Sequence, residues 1–585
     1  MSVQRRKLIN HPDNLIEELI AGMVSAHPDH LFVSGDTGRA IVAKNGPRHG
    51  KVGIVVGGGS GHEPAFAGYV GHGLADAAPL GNIFASPSPS QIMDAGFAAD
   101  GGAGVLFLYG NYTGDVMNFG MAAEGMAKEG ITARSFVVTD DIASAPLDNI
   151  EERRGIAGDF FVFKVAGAAA DLGLDMEAVE AAAKRANDAT RTMGVALGPC
   201  TMPQTGQANF ELPPGEMEIG MGIHGEPGIE RGPAETADAV TDRLLAPILE
   251  ELDLGAQDRV AVLVNGLGST SLLELYILHN RVAQIMAERS VDIHASWVGE
   301  YCTSLDMEGA SITIMKLDGD LQSWLDHPCD TPALRVGAAA APAAHPAREM
   351  QSRSKQRGRT TVALDDLKSD GPITPGVFHT MMEASAQAIY RERDRLSALD
   401  GAIGDGDHGL TMEIGWKAVM ARLNAPDRPA TISAMCEDMA DAFLEAVGAS
   451  AGPLYGSAFQ TAGAAVADRL NLDAASYVAW VQGLSDGIVA RGGAQPGDKT
   501  MVDAWGPAAA AAKAKLRESS AVADCAVAAA QAASAGAVET KQMLSNRGRS
   551  KKLGERSRGH IDPGAESAAV MLQAWAQVLA DLEKS

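Results

Sequence analysis

A low-complexity segment near the middle of the chain separates two halves with different hydrophobic patterns. Residues 333–359 read ALRVGAAAAPAAHPAREMQSRSKQRGR, an Ala/Pro stretch followed by a basic, polar run with few side chains to bury. A chain of 585 residues is also too long for one hydrophobic core. We therefore expect a first domain over residues 1–332, a linker over 333–364 and a second domain over 365–585.

In the first half, short apolar runs end repeatedly in glycine-rich loops. Runs at 52–56, 104–109 and 259–264 read VGIVV, GVLFLY and RVAVLV, and helical patterns such as 176–189 lie between them. Strands that alternate with helices are typical of an α/β domain, whose ligands bind beyond the ends of the strands. The second half instead has long alanine-rich segments, for example at 508–519 and 521–544, and is predicted to be almost entirely helical.

Composition excludes several classes of function. A net charge of -26 argues against a nucleic-acid partner, because such binding depends on Lys and Arg. The basic N-terminal residues precede no apolar signal segment, and no apolar run is long enough to span a membrane. The five cysteines are scattered without CxxC spacing, as in reduced cytosolic proteins. We expect a cytoplasmic protein with neither a membrane nor a nucleic-acid partner.

Three loops of the first half carry residues suited to chemistry. The loop GGGSGHEP (57–64) is expected to open a helix, where glycine amides and the helix N-terminus favour a polar ligand beside His62. Asp115, in NYTGD, follows another strand and could orient or deprotonate a hydroxyl. His224, in GMGIHGEPG, has glycines close on both sides, which suits a histidine that attacks a substrate. Tight turns with no catalytic task remain the alternative interpretation of all three loops.

Three aspartates lie close together near the start of the second half. Asp400, Asp405 and Asp407 occur within DGAIGDGDHG. Carboxylates so close repel one another unless a cation neutralises them, and hard oxygen ligands suit Mg²⁺ with bound phosphates. The alternative is a plain acidic turn.

Further glycine-rich segments follow these aspartates, at 448–456, 491–503 and 548–565. None contains the P-loop pattern GxxxxGK[ST]. Together with the aspartates they could form a nucleotide site from the loops between helices. The residues by themselves therefore predict a two-domain enzyme of phosphoryl transfer with its metal on the second domain.

The motifs GGGSGHEP, NYTGD, GIHGEPG, AIGDGDHG, PGDKTM and GERSRGHIDPGA occur in this order. In sequence and order they resemble the dihydroxyacetone kinase family over nearly the whole chain except the linker. The resemblance implies a ketose-binding N-terminal domain of two α/β subdomains and an all-α, helical-barrel C-terminal nucleotide domain. Because both occur in one chain, it also implies ATP as the phosphoryl donor, with Mg²⁺, and it suggests a homodimer.

The resemblance also implies a role for individual residues. His224 would add to the substrate carbonyl and form a covalent hemiaminal, and His62 and Asp115 would act on the hydroxyl that receives phosphate. The sugar would be held by the backbone of Gly59, Ser60 and Gly61, beside Gly110. The metal ligands would be Asp400, Asp405 and Asp407, and the nucleotide contacts would be His408, Gly409, Leu410, Thr411, Ser450, Ala451, Gly492, Met501, Arg549, Asp562, Pro563 and Gly564.

The chain departs from the family pattern at the sugar site. Gly110 stands where the family usually has a lysine before Asn-Tyr, and Val116-Met117 replaces the common Arg-Leu. Loss of a donor and a long side chain is expected to enlarge the pocket or leave room for water. The expected substrate is therefore dihydroxyacetone or a tetrulose such as erythrulose. A ketose-sensing regulatory protein and an FMN-cyclising FAD-AMP lyase remain alternatives.

Overall fold

The structure is a computed structural model that describes residues 7–337, 364, 367–404 and 406–582. Two compact units make up the chain, Met1–Ser352 and Arg353–Ser585. Most of the predicted linker lies outside the described residues. The packed structure of the first unit continues past the predicted start of the linker, since the Ala333 amide donates to the Gly68 carbonyl at 3.0 Å.

The first unit combines strands and helices, as predicted. Its described strands are β1 (Leu31–Ser34), β2 (Ala40–Ala43), β3 (Gly53–Val56), β4 (Gly58–Ser60), β5 (Ala77–Ile83), β6 (Val105–Gly110), β7 (Ala133–Val138), β8 (Thr190–Gly198), β9 (Glu216–Ile219), β10 (Glu230–Pro233), β11 (Arg259–Gly266), β12 (Asp292–Gly299), β13 (Glu308–Leu317), β14 (Cys329–Asp330) and β15 (Arg335–Val336). Its described helices are α1 (Leu15–Ala26), α2 (Pro89–Ala99), α3 (Thr113–Lys128), α4 (Asp159–Asp171), α5 (Met176–Asp188), α6 (Ala237–Leu252), α7 (Leu272–Glu288) and α8 (Gly319–Asp326).

The first sheet has the order β1-β2-β5-β3-β6-β7, with β4 added beside β5. Strands β5, β3, β6 and β7 are parallel, and β1 and β2 run antiparallel at one edge. Along β6, Phe107 packs in the cluster with α2 and α3, whereas Leu106 and Leu108 pack in the cluster with α4. Burial on both faces explains why this strand reads as an unbroken apolar run.

The second sheet has the order β10-β9-β8-β13-β11-β12 and is antiparallel except for the pair β11 and β12. Helices α6 and α7 cover one face, packing on Val260 and Val262 of β11. The other face contributes Ala261 and Leu263 to the core that also contains α4. Helix α4 is accordingly buried on all sides, as its apolar sequence FFVFKVAGAAA requires. The first unit therefore consists of two sheet subdomains around a shared core.

The second unit is all-helical in its described part, which confirms the prediction. Each helix packs against the next, and the last packs against the first, so that eight helices form a closed ring. Short connections make most neighbours antiparallel. These helices are α9 (Pro375–Gly401), α10 (His408–Leu423), α11 (Ile432–Ala446), α12 (Ala451–Ala465), α13 (Ala474–Gly492), α14 (Val502–Lys515), α15 (Val522–Glu539) and α16 (Pro563–Leu582).

Small residues bring the helices of this ring close together. A Cβ atom on Gly487 of α13 would lie 2.5 Å from the Ser457 carbonyl oxygen of α12, so only glycine permits this approach. Large aromatic side chains fill the interior, and the Trp480 and Trp575 ring centroids lie 4.8 Å apart. The alanine-rich sequence thus produces a barrel of closely packed helices. None of the described helices is both long enough and apolar enough to cross a membrane.

Candidate active site

Two of the predicted catalytic residues meet in the first unit. His62 follows β4 of the first sheet, and His224 lies in the loop after β9 of the second sheet. Their Nε2 atoms are 3.1 Å apart, and both side chains are buried. The interface of the two subdomains therefore brings together two histidines that are 162 residues apart in sequence.

The loop that carries His62 is not the start of a helix, so that part of the sequence prediction is wrong. Residues Gly58–Ser60 form β4, which pairs with β5. A Cβ on Gly59 would lie 2.6 Å from the Ala85 amide nitrogen, so glycine is needed for this strand approach. The Ser60 hydroxyl also donates to the Gly81 carbonyl at 2.8 Å, so a side-chain hydrogen bond holds this loop against β5.

His62 is held as a neutral ring. Its Nδ1 lies 2.8 Å from the Thr303 carbonyl oxygen, which can only accept, so Nδ1 carries the hydrogen and Nε2 the lone pair. Burial, and next the neighbouring His224, lower the pKa of His62 to about 3. The Phe84 ring stacks on the imidazole at a centroid distance of 5.1 Å. Phe84 has a φ of 56°, a left-handed conformation that is unusual for a bulky residue.

His224 has a carboxylate partner that the sequence analysis did not select. Its Nδ1 lies 3.0 Å from Glu226 Oε1, and its backbone amide donates to Glu226 Oε2 at 3.0 Å. The Tyr112 ring meets the imidazole edge-on at 4.7 Å. The signal was present in GIHGEPG, since a carboxylate two residues after a candidate nucleophile can fold back onto it.

Asp115 lies in the first turn of α3 and is also buried. Tyr112, three residues earlier, contacts His224, so the NYTGD segment borders the same site. Burial raises the pKa of Tyr109 to about 12, and the Asp115 charge contributes in the same direction. Burial likewise raises the pKa of Asp159, with contributions from Asp140 and Asp115. The region behind Asp115 is therefore enclosed and rich in carboxyl groups.

The space beside Gly110 is filled, which corrects the expectation that glycine enlarges the pocket here. A Cβ on Gly110 would lie 2.9 Å from the Gly155 carbonyl oxygen and 3.1 Å from Tyr112 Cε2. A Cβ on Gly155 would in turn lie 2.5 Å from the Gly110 Cα. The two glycines allow two backbone segments to pack directly on each other. Neighbouring backbone therefore occupies the direction in which a Cβ at position 110 would point.

In the second unit, the predicted nucleotide residues lie at one end of the helical ring. Because neighbouring helices are antiparallel, the connections after α9, α11, α13 and α15 share this end, and α10, α12, α14 and α16 begin there. Helix N-termini favour phosphate through their free amides and dipoles. Gly492 is the last residue of α13, and the other predicted contacts belong to these connections or to the first turns of the helices that follow them: His408, Gly409, Leu410, Thr411, Ser450, Ala451, Met501, Arg549, Asp562, Pro563 and Gly564.

Side-chain contacts join these connections to one another. His408 Nε2 lies 2.9 Å from the Ser567 hydroxyl, which links the start of α10 to α16 near its N-terminal end. Lys499, before α14, donates to the carbonyl oxygens of Thr540 at 2.6 Å and His560 at 2.5 Å. A Cβ on Gly564 would lie 3.4 Å from the Met501 Cβ, so the starts of α14 and α16 also lie together.

The carboxylates at this end of the ring fit a divalent cation. Asp400 Oδ2 accepts the backbone amides of Asp407 at 3.0 Å and His408 at 3.2 Å, which ties the ends of α9 and α10 together. Burial, and then the Asp400 charge, raise the pKa of Asp407 to about 7. Burial also raises the pKa of Asp562 to about 7, although the Ala565 amide and Lys499 oppose the shift. Buried carboxyl groups that repel one another are hard oxygen ligands of the kind Mg²⁺ takes.

The predicted metal triad is only partly described. Asp405 and the side chain of Arg549 lie outside the described part of the chain. Within that part, no three His, Cys, Asp or Glu side chains lie close enough together to hold a metal ion by themselves. The assignment of Asp400, Asp405 and Asp407 as metal ligands therefore stays a prediction.

Known proteins resemble this chain over both units. The chain matches the Dak1 domain over residues 21–333 and the DAK2 domain over residues 402–577. It is 38% identical over 582 residues to the L-erythrulose kinase of Pectobacterium atrosepticum, an alignment that covers 98% of this chain and 96% of that protein. It is 39% identical over 566 residues to the D-erythrulose kinase of Mycolicibacterium smegmatis, covering 96% and 97%.

A solved structure extends the likeness to the fold. The crystal structure of the dihydroxyacetone kinase from C. freundii in complex with AMP-PNP and Mg²⁺ matches with a TM-score of 0.53 at 28% sequence identity. The match covers 98% of this chain and 99% of that chain. With matches to both domains and full-length relatives, the chain belongs to the dihydroxyacetone kinase family.

Proposed function

We propose that this chain transfers a phosphoryl group from ATP to a terminal hydroxyl of a short-chain ketose, either dihydroxyacetone or a tetrulose such as erythrulose. The observation that carries the proposal is the enclosed His62–His224 pair, in a chain whose helical ring presents four helix N-termini and buried carboxylates at one end. The erythrulose kinases among its relatives support a ketose substrate. We assign ketose binding to residues 1–332 and nucleotide binding to 365–585.

The ketose is captured covalently in this proposal. His224 adds through Nε2 to the carbonyl carbon and forms a hemiaminal, while the backbone at residues 59–61 and beside Gly110 holds the sugar. Covalent capture requires a carbonyl, so glycerol is excluded although it carries the same terminal hydroxyls. The adduct also fixes the orientation of the hydroxyl that receives the phosphoryl group.

Asp115 is assigned to orient the reacting hydroxyl and to take its proton. His62 is a poor candidate for holding that proton, because a pKa of about 3 keeps its ring neutral. Its Nε2 can still accept a hydrogen bond and pass a proton on. We therefore assign His62 to proton transfer during the addition step and Asp115 to the phosphoryl acceptor.

In the second unit, the phosphates of ATP are assigned to the N-termini of α10, α12, α14 and α16. Asp400, Asp405 and Asp407 would hold Mg²⁺, which when bound neutralises phosphate charge and polarises the transferring group. Lys499 and Asp562 are fixed at the same end and would shape the site.

The assembly and compartment complete the proposal. We propose a homodimer in the cytoplasm, as the family resemblance and the cysteine pattern suggest. All five cysteines are free and buried, which supports a reducing compartment.

A coupled kinase assay tests the proposal. The purified chain is given Mg²⁺ and ATP with dihydroxyacetone, D-erythrulose, L-erythrulose or glycerol, and ADP and the ketose phosphate are measured. We expect turnover of at least one ketose, none of glycerol, loss of activity with EDTA, and none for His224→Ala. Ketose binding without ADP formation would favour a regulatory protein, and manganese-dependent FAD cleavage without ketose turnover would favour a lyase.

A further inference from the structure

Behind His224 lies a line of charged side chains that the proposed reaction has not yet used. Glu226 contacts both Nδ1 and the backbone amide of His224. Arg154 Nη1 lies 3.8 Å from Glu226 Oε2, and its Nε donates to Asp141 Oδ2 at 2.7 Å. Its Nη2 donates to the Gly220 carbonyl at 3.0 Å, at the start of the loop that carries His224. Arg154, Asp141 and Glu226 are all buried, so their charges must balance one another locally.

The contacts on the two imidazoles determine where the hydrogens lie. The hydrogen on His62 Nδ1 points at the Thr303 carbonyl, so His62 Nε2 accepts from His224 Nε2. On the other side of its ring, His224 Nδ1 faces the Glu226 carboxylate, which also accepts. Each nitrogen of His224 thus faces a hydrogen-bond acceptor, and Glu226 is the carboxylate in contact with Nδ1.

We propose that Glu226 is a positioning residue for the addition of His224 to the ketose carbonyl, and that Arg154 fixes Glu226 for this role. Glu226 retains the hydrogen on Nδ1, so Nε2 is the nitrogen that reacts, and it balances the positive ring of the adduct. The inference rests on the proposed function, since it concerns how the same adduct forms.

Protons and electrons balance in this scheme. The proton on His224 Nε2 passes to His62 Nε2, and the freed lone pair forms the bond to the carbonyl carbon. The π electrons of the carbonyl move to its oxygen, which then takes the proton from His62. The Nδ1 proton stays in place, so the substituted ring carries one positive charge opposite the Glu226 carboxylate. His62 returns to its neutral state, ready to accept again.

The surroundings of Glu226 are built around this contact. A Cβ on Gly222 would collide with both the Glu226 carboxylate and Arg154 Nη1, so only glycine leaves them in place. The titratable groups that face the His224 ring are His62, Tyr112 and Glu226, with Arg154 and Asp141 behind them. Glu226 supplies the negative charge in direct contact with this ring.

A purely structural role is the competing explanation, because Glu226 also holds the loop through the His224 amide. Glu218 of β9 provides a matched control in the same region. Its carboxylate accepts the Gly228 amide at 2.7 Å and pairs with Arg231, and so it holds the far end of the same loop. Glu218→Gln and Glu226→Gln each neutralise one buried carboxylate that accepts a backbone amide of this loop.

The adduct is measured directly, without nucleotide, by NMR on a ketose labelled at its carbonyl carbon, because addition converts a trigonal carbon into a tetrahedral one. Steady-state rates with Mg²⁺ and ATP are measured in parallel. Glu226→Gln is expected to lower the adduct fraction and to lower kcat/KM for ketose by about ten- to a hundredfold, as for loss of a charge-assisted hydrogen bond. The KM for ATP should not change. Glu226→Asp should recover part of the loss, and Glu218→Gln should retain the adduct.

Each result decides the proposal. A wild-type adduct fraction in folded Glu226→Gln, or an equal loss in Glu218→Gln, overturns the positioning role. If Glu226→Gln does not fold, Glu226→Asp decides in its place, since it keeps the charge and shortens the reach: a reduced adduct at unchanged Tm supports the role, and a full adduct overturns it. Wild-type protein that forms no adduct and no ketose phosphate refutes the proposed function itself.

Discussion

His62 is a buried histidine whose surroundings favour the uncharged ring. Its pKa is about 3 in the folded chain and about 6.5 when unfolded, so between these values the unfolded state binds more protons. The free energy of unfolding contributed by this residue is therefore fully present above pH 6.5 and is lost as the pH falls toward 3. The loss amounts to roughly 5 kcal/mol at most.

His62→Gln should weaken this dependence on pH. Thermal or urea unfolding of wild type and variant at pH 7 and pH 4.5 should show a smaller loss of stability on acidification in the variant. His11→Gln, at an exposed histidine, is the control and should follow wild type. Parallel pH dependences in wild type and His62→Gln would contradict the assignment of a depressed pKa.

Gly110 shows how a substrate prediction changes once packing is known. From sequence, Gly110→Lys should shift preference toward the three-carbon sugar. Because the Gly155 backbone occupies the space, we now expect Gly110→Ala to cost about 1–3 kcal/mol of stability, as overpacking does. Gly110→Lys should lower kcat/KM for dihydroxyacetone and erythrulose alike.

The measurements are unfolding curves and kcat/KM for both sugars, with Gly120→Ala as a control because no atom lies within 4 Å of its added Cβ. A Gly110→Lys enzyme that has wild-type stability and prefers dihydroxyacetone would instead support the interpretation that Gly110 enlarges the sugar pocket.

Sequence motifs selected His62 and His224 but not the residues that contact them or their partners. His62 and His224 stand out because glycines surround them. Thr303 contacts the His62 ring and Arg154 contacts Glu226, both from remote parts of the chain, and neither belongs to the quoted motifs. Glu226 was visible in a motif, yet its contact with Nδ1 depends on how the loop folds back. Local patterns thus select candidate residues, and the tertiary structure determines which groups surround them.

At the scale of elements, the pattern of apolar residues along the sequence predicted most of the quoted strands and helices. The apolar runs at 52–56, 104–109 and 259–264 correspond to β3, β6 and β11, and the alanine-rich segments to α14 and α15. The helix expected after residue 57 is absent because Gly59 allows β4 to approach the chain that follows β5. Glycines permit a helix start and a close strand contact equally, so sequence alone could not separate them.

The two ends of the helical ring in the second unit can be compared by mutation. Asp407→Asn removes a carboxylate at the end of the ring where α10, α12, α14 and α16 begin. Asp468→Asn, in the connection between α12 and α13, removes the same charge at the opposite end. We expect Asp407→Asn to lower magnesium-dependent ATP binding by at least about tenfold, as for loss of one charged ligand. Asp468→Asn should bind ATP as wild type does.

Calorimetric titration with ATP, with and without Mg²⁺, measures this difference, and NMR on labelled ketose shows whether the first unit still forms its adduct. We expect ketose binding to survive in both variants, because His224 belongs to the other unit. Equal ATP affinity in Asp407→Asn and Asp468→Asn would remove the metal assignment from this end of the ring.

For the whole molecule, the open question is which ketose-binding unit each nucleotide unit serves. The 26 residues between Gly337 and Leu364 could span at most about 90 Å when fully extended, a length that permits service within one chain or between two. In a homodimer, two variants with defects in different units can restore activity together if each unit serves the partner chain, but not if it serves its own chain. His224→Ala is expected to impair the ketose-binding unit, and Asp407→Asn is expected to impair the nucleotide unit when ATP is not saturating.

Mixing these two single variants after subunit exchange separates the arrangements. If units serve the partner chain, each mixed dimer has one intact pair, and a random mixture should reach about a quarter of wild-type activity. If units serve their own chain, the mixture should stay inactive. Wild type mixed with the double variant His224→Ala/Asp407→Asn gives the matched control, with about a quarter expected for partner service and about half for service within one chain. Native mass spectrometry verifies that mixed dimers form. We expect rescue, and its absence in verified mixed dimers would assign phosphoryl transfer to a single chain.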